Sequence, residues 1–311
     1  MSRSARTPGF AALLLSFLPI FATCAAAQEL DPRAYTPVPV GGNLLITAFT
    51  YQQGEVLLDP SLPITDLSAK LGIGTLGYAR TFAFLGRYAN VGFGLPGATL
   101  TAEGNVFEER TKVTRTGLGD ARVKLAVNLL GAPALGPAEF ARAKPRTVLG
   151  ASLTVSAPTG QYYPDKLVNL GANRWAFKPE VGLSHPIGRW LLDAYVGVWL
   201  FTENDDFFGG KKRTQDPLGT VQFHVSYTVR PSLWIAADAT FYSGGRSYVS
   251  DLANQDFQSN SRVGLTASVP VARGHSVKVS VATGATTRIG QDFNTVGLAY
   301  QYIWLDGPKR K

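Results

Sequence analysis

Residues 218–230 read Leu-Gly-Thr-Val-Gln-Phe-His-Val-Ser-Tyr-Thr-Val-Arg. Val221, Phe223, Val225, Tyr227 and Val229 fall on one parity, and Thr220, Gln222, His224, Ser226, Thr228 and Arg230 on the other. Successive strand side chains point to opposite faces, so this spacing predicts a strand with one oily and one wet side. The alternation recurs. In 232–243, Leu233, Ile235, Ala237, Ala239 and Phe241 oppose Ser232, Trp234, Asp238, Thr240 and Tyr242. In 120–129, Ala121, Val123, Leu125, Val127 and Leu129 oppose Asp120, Arg122, Lys124 and Asn128. Near 275–282, Val277, Val279 and Val281 oppose Ser276, Lys278 and Ser280.

Twelve such segments, bounded by turn residues, lie near 43–51, 67–81, 87–101, 117–130, 147–158, 174–185, 189–202, 218–230, 232–243, 261–271, 275–287 and 294–304. The first, Asn43 to Tyr51, is apolar on both parities. Short turns at Leu85-Gly86-Arg87, Pro186-Ile187-Gly188, Arg230-Pro231 and Arg273-Gly274 alternate with longer polar connections at 52–66, 102–116, 159–173, 203–217 and 244–260. Outer-membrane barrels arrange periplasmic turns and extracellular loops in this way. The 131–146 connection, with Pro133, Pro137 and Pro145, is a long one on the short-turn side. The fold class predicted is all-β: an antiparallel transmembrane up-and-down β-barrel of about twelve strands, with both termini on the periplasmic side. Ten or fourteen strands meet the same pattern.

The N-terminus fits that setting. Arg3 and Arg6 form a charged region, Gly9 to Ala22 is uncharged and mostly apolar, and Ala25-Ala26-Ala27 offers a small-residue cleavage site before Gln28. Residues 1–27 therefore read as a signal peptide and 28–311 as the barrel. Cleavage removes Cys24, the chain's one cysteine, which excludes disulfides and thiolate metal sites. The formal charge of +8 falls by two on cleavage, and Lys309-Arg310-Lys311 is a short clustered basic run. Nucleic-acid binding would require a basic stripe or motif, so no such partner is expected. Beyond the leader no run of 18 apolar residues occurs, but a closed barrel spans with about 9–11 residues per strand.

Spelled motifs mostly dissolve on inspection. Gly72-Ile-Gly74-Thr-Leu-Gly77 matches a dinucleotide fingerprint but sits inside an alternating strand with no following helix. Gly209-Gly210-Lys211-Lys212 lacks the spacing of a phosphate-binding loop. His224-Val225-Ser226 has the His-x-Ser spelling of outer-membrane phospholipases, whose pair must face lipid; here both residues share the wet parity. Three histidines give no metal cluster, and Asn204-Asp205-Asp206 reads as a solvated loop. No catalytic residue, metal or cofactor is expected. The wet parity supplies candidate lumen-lining residues instead: Asp120, Arg122, Lys124, Arg174, Lys178, Glu180, Asp193, Tyr195, Trp199, His224, Trp234, Asp238, Tyr242, Arg262 and Lys278. Their mixed signs imply facing ion pairs, and with the aromatic rings they define a candidate solute path. Trp175, Trp190, Tyr227, Tyr300, Tyr302 and Trp304 fall near strand ends, as interface girdles do.

Thr295, Gly297, Tyr300 and Tyr302 resemble the C-terminal signal read by barrel-assembly machinery, although the chain runs on to Lys311. Over nearly the whole mature chain the sequence resembles the MetA-pathway of phenol degradation family. The resemblance rests on Leu58-Asp-Pro-Ser-Leu-Pro63, Gly117-Leu-Gly-Asp-Ala-Arg-Val-Lys-Leu125, Asn128-Leu-Leu-Gly-Ala-Pro133, Ala151-Ser-Leu-Thr-Val-Ser-Ala-Pro158, Asn173-Arg-Trp-Ala-Phe-Lys-Pro-Glu180 and Asn204-Asp-Asp-Phe-Phe-Gly-Gly210. It implies a barrel in the lipid of a Gram-negative outer membrane that passively passes small hydrophobic or aromatic compounds. A closed structural or adhesive barrel whose loops 203–217 and 244–260 bind a partner, and an outer-membrane phospholipase, are the alternatives.

Overall fold

The computed structural model describes residues 30–58, 64–106 and 109–306. The leader 1–27, the run Lys309-Arg310-Lys311 and most of the Leu58 to Pro63 motif lie outside the described residues. The wall strands are β1 (Gly42–Leu57), β2 (Ile64–Phe84), β3 (Arg87–Val106), β4 (Glu109–Leu118), β5 (Arg122–Leu130), β6 (Val148–Ser156), β7 (Ala176–Ile187) and β8 (Trp190–Phe201). After a short outer pair, β9 (Asn204–Phe207) and β10 (Lys211–Gln215), the wall continues with β11 (Leu218–Arg230) and β12 (Leu233–Gly244). A second outer pair, β13 (Ser247–Val249) and β14 (Leu252–Ala253), precedes β15 (Gln258–Ala272), β16 (His275–Thr286) and β17 (Gly290–Leu305).

Each wall strand pairs antiparallel with its neighbour in sequence, and β1 pairs with β17 from Gly42 opposite Leu305 to Leu57 opposite Gly290. The sheet is thereby closed. β4 and β5 are one wall position interrupted at 119–121, since both pair with β3. The wall count is therefore twelve, at the positions the alternation predicts.

Two of the expected long loops are strand instead. β1 runs to Leu57 and β2 begins at Ile64, and β3 and β4 extend across most of 102–116. The outer faces of these extensions stand in water beyond the lipid and need not be oily, so no lipid-facing alternation marks them, while their inner faces bury Val56, Ala69 and Ala102. Cross-strand side chains hold them: Thr99 to Thr116 at 3.1 Å, Thr101 to Thr114 at 3.2 Å and Glu103 to Arg110 at 2.8 Å. The connections 203–217 and 244–260 are also partly ordered, as the four-stranded sheet β14-β13-β10-β9. The 159–173 connection folds against the barrel mouth, with Gln161 N–H donating to Leu118 O and Gly171 N–H to Gln161 O. At the other end, 131–146 carries one helical turn, α1 (Pro137–Phe140), and is tied by Tyr88 N–H to Ala132 O and Val40 N–H to Leu135 O.

Parity sorts the side chains. Phe223, Val225, Ile235, Phe241, Leu265 and Val279 point outward and are exposed, while Gln222, His224, Ser226, Asp238 and Thr240 point inward and are buried. An exposed apolar belt around a closed sheet is the surface of a membrane barrel, and the chain is an outer-membrane β-barrel. Gly72 and Gly74 lie on the outward face of β2, which explains the dinucleotide-like spelling without a nucleotide site. At the short-turn end, Trp190 packs on Tyr227 with ring centres 4.8 Å apart, and Tyr302 stacks on His275 at 4.4 Å and on Trp304 at 5.1 Å. This is a girdle at the membrane boundary. Trp175 stands exposed at the other end of the wall.

Val225 lies midway along β11 and is 42% exposed to lipid. Replacing it with Arg is expected to cost about 2–4 kcal/mol and impair assembly. Heat-modifiable migration of the refolded variant is the check; normal folding would contradict the outward assignment.

Candidate functional site

The barrel interior is occupied by a segment that precedes the first strand. Residues 30–41 run inside the wall, and Arg33 takes a left-handed backbone (φ 66°) that turns the chain there. Its N–H donates to Asp193 at 3.2 Å, its guanidinium donates to Thr228 at 2.7 Å, and it lies 4.8 Å from the centre of the Trp234 ring. Ala34 N–H donates to the Tyr195 hydroxyl at 3.1 Å, and Asn128 donates to Tyr35 O at 3.1 Å. The Tyr35 ring is buried edge-on against Tyr195, with its hydroxyl 2.9 Å from Ser152. Glycines make that slot: a Cβ at Gly150 would lie 2.3 Å from the Tyr35 ring, and one at Gly182 only 2.1 Å. The segment occludes the lumen on the periplasmic half.

Asp31 of the same segment reaches Lys278 on β16, 3.3 Å from its ammonium. It lies deep in the barrel yet keeps 52% of its side chain open to the lumen. Burial pushes its carboxyl up, but Lys278 and then Lys124 more than offset this and hold it below the usual carboxylate range.

The inward parity places the remaining candidates as follows. Lys178 lies 2.7 Å from Glu180 and 5.9 Å from the Trp199 ring, and Lys124 sits 3.9 Å from Glu180. His224 Nδ1 is 2.7 Å from Asp238, whose other oxygen accepts from Thr266 at 2.7 Å. Trp199 and Tyr242 pack with Leu218. Arg262 donates to Phe293 O and to Thr295 Oγ1, each at 2.9 Å. Arg174 stacks over Phe201 at 4.4 Å. The ion pairs join neighbours on the wall, or the wall to the inserted segment, rather than facing each other across an open lumen. His224 and Ser226 are fully inside, out of reach of membrane lipid.

Asp120 and Arg122 belong to a different place. Asp120, in the 119–121 break, accepts the backbone N–H groups of Gly160 and Ala172 at 2.9 Å each, pinning the 157–175 connection over the mouth. Beneath it lies a cavity of about 330 Å3. Leu71, Ile73, Pro96, Ala98 and Leu100 form one side of it, with Leu170 above and Leu30 of the inserted segment lining it as well. Gln52, Asp120, Arg122, Arg262, Thr266 and Thr295 supply the polar groups. The cavity is thus greasy on β2 and β3 and polar on β5, β15 and β17. In the first segment, apolar on both parities, Leu45 and Phe49 face lipid, while Leu44 and Ile46 are half-buried on the inward face.

The inserted segment escaped the sequence reading because it has no period. The signal for it is compositional: charged and aromatic residues interleaved with prolines in Asp31-Pro-Arg-Ala-Tyr-Thr-Pro-Val-Pro39, too apolar and too Pro-rich for either strand or free tail. The apolar side of the cavity escaped because a wet parity was expected throughout.

Residues 49–300 match the family model described as "Putative MetA-pathway of phenol degradation". Among solved structures, the COG4313 outer membrane channel from Pseudomonas putida F1 is similar at 21% identity and a TM-score of 0.77, covering 89% of this chain and 100% of that one. The transport unit of the autotransporter AIDA-I from Escherichia coli is similar at 12% identity and a TM-score of 0.52, covering 92% of this chain and 95% of that one. At these identities the likeness is one of fold. Comparison with the curated proteins gives no match.

Two outcomes follow from the occluding segment. A carboxylate held below its ordinary pKa contributes its pairing at neutral pH and loses it as pH falls through the lowered value. Acidification below about pH 4 should therefore loosen the segment and raise the conductance of the refolded barrel. Asp31→Asn should show the raised conductance already at neutral pH and no acid step; a conductance flat with pH and equal in both proteins would separate Asp31 from the occlusion. Gly182→Val should expel the Tyr35 ring from its slot and give larger, noisier channels in a barrel that still folds, read by single-channel recording alongside heat modifiability.

Proposed function

The chain belongs to the MetA-pathway of phenol degradation family, and from that membership and the geometry above we propose that it is a channel for passive passage of small hydrophobic or aromatic compounds across the outer membrane. The observation that carries this reading is the two-faced cavity of about 330 Å3. A flat ring gains by leaving water for Leu71, Ile73, Pro96 and Leu100. A hydroxyl or carboxylate on that ring turns toward Arg262, Arg122, Thr266 or Thr295. A wholly polar lumen would favour ions, and a wholly apolar one would hold its solute too well to release it.

Beyond the cavity the path follows β8, β11 and β12, past Trp199, Tyr195, Trp234 and Tyr242 with the charged groups Lys124, Lys178, Glu180, Asp193, His224, Asp238 and Lys278. Gln222 Oε1, Ser226 Oγ and Thr240 Oγ1 have no hydrogen-bond partner there among the described residues. Buried polar atoms left unpaired are costly, so this wall has capacity to bond a polar handle once the inserted segment shifts. The movement is downhill and uses no catalytic step. The same reading gives Thr295, Gly297, Tyr300 and Tyr302 to recognition by barrel-assembly machinery; Thr295 and Gly297 face inward, and Tyr300 and Tyr302 face the membrane.

Single-channel recording of the refolded mature chain in planar bilayers, with and without phenol, tests the reading. Discrete conductance interrupted by phenol is expected. A Cβ at Gly94, on the inward face of β3, meets open space in the cavity, so Gly94→Trp fills it without displacing the wall. That variant should still conduct ions weakly but lose the phenol effect by about ten-fold, the scale of a lost apolar contact of roughly 1.4 kcal/mol. A conducting wild type indifferent to phenol, or an equal phenol effect in Gly94→Trp, would overturn the proposal.

A further inference from the structure

The two ends of the barrel differ in charge. At the short-turn end, Arg87, Arg189, Arg230 and Arg273 stand exposed at four short turns, joined by Arg142, Lys144 and Arg146 of the long connection that lies between the first and second of them. Outside the lumen, Glu139 and Asp306 are the exposed carboxylates at that end among the described residues. Both are engaged: Glu139 accepts from Gly136 N–H at 3.1 Å, and Asp306 lies 2.7 Å from Arg80. At the opposite end charges of both signs are paired, as in Glu103 with Arg110 and Asp165 with Lys166.

Directly inward of two of these turns, the lipid face is hollowed. A groove of about 640 Å3 is lined by Trp190, Tyr227, Ile235, Ala237, Leu265 and Ala267. Ala237 and Ala267 present only methyl groups between larger neighbours, which is what sinks the surface there. Trp190 follows Arg189 in sequence, and Arg230 ends the strand that carries Tyr227. Thr228 N–H donates to Arg189 O at 2.8 Å, so the two turns lie side by side at the groove's periplasmic end. An apolar trough in the acyl region, an aromatic pair at the boundary and two guanidiniums beyond it form a sequence that matches one amphiphile end to end.

We infer that this face binds an anionic phospholipid of the periplasmic leaflet, with its phosphate between Arg189 and Arg230 and an acyl chain in the Ala237–Ala267 groove. Guanidinium forks suit phosphate oxygens, and juxtamembrane cations draw acidic headgroups. The arginines recur at turn after turn around the rim instead of forming a single patch, which fits a lipid annulus better than a docked protein.

The test is native mass spectrometry of the full mature chain refolded in micelles doped with equal phosphatidylglycerol and phosphatidylcholine. Phosphatidylglycerol should be retained in clear excess. Arg189→Gln with Arg230→Gln should cut that preference by roughly ten-fold, Ala237→Phe should lower retention of both lipids, and Arg110→Gln with Lys112→Gln at the far end should change nothing. Quenching of the girdle tryptophans in the unaltered protein by brominated phosphatidylglycerol, stronger than by the brominated choline lipid, gives the same answer without a variant. Equal retention and equal quenching by the two lipids would overturn the inference. So would an equal loss of preference in the far-end variant, which would reduce the effect to net charge.

Discussion

Lipid offers no hydrogen bonds, so a strand that crosses it must have both edges paired or pay for every bare amide. The pairing of β1 with β17, from Gly42 opposite Leu305 to Leu57 opposite Gly290, is the contact that meets this requirement for the whole sheet. Without it two edges would face acyl chains. With it, each residue outside the turns faces either lipid or lumen, and the period-two pattern becomes obligatory. The one interruption of the wall, at 119–121, survives because Asp120 takes the amides of Gly160 and Ala172 and the 157–175 connection covers the break.

Closure creates the second problem that the structure solves. Twelve strands enclose more space than side chains of the wall fill alone, and less than an open aqueous pore needs. The inserted segment 30–41 takes up the periplasmic half of that space, through Arg33, Ala34 and Tyr35, in a slot that exists because Gly150 and Gly182 have no side chains. The upper half stays hollow. What remains there is a cavity whose apolar and polar sides come from different strands, a shape suited to a ring with a polar substituent more than to a hydrated ion.

How much of this was legible in the sequence follows from which forces leave a period. Lipid on one side and water on the other forces alternation, so β11, β12 and β5 could be placed from residues alone, and Val225 and His224 assigned to opposite faces. The first segment read ambiguously for a physical reason: Ile46 and Phe49 are both apolar, one turned to the barrel interior and one to the membrane. The extensions of β3 and β4 left no trace because their outer faces meet water instead of lipid, and Thr99 with Thr116 holds a strand there as well as Val with Val would. The inserted segment has neither period nor partner in its own neighbourhood of the chain; Tyr35 meets Glu180 and Ser152 more than a hundred residues away. For the same reason the charged residues of the lumen were found by parity, while their partners were not. Asp31 is what Lys278 faces, and no spacing rule connects them.

The central claim is that the upper lumen is a two-faced chamber that receives an aromatic ring on β2 and β3 and its polar substituent on β15 and β17. Anomalous diffraction from crystals of the refolded mature protein soaked with 4-bromophenol tests this most directly. The account predicts a bromine peak against Ile73, Pro96 and Leu100, with the phenolic oxygen toward Arg262 or Thr295. Bromine found only on the lipid-facing belt, or a chamber holding ordered water and no solute at saturating bromophenol, would contradict it.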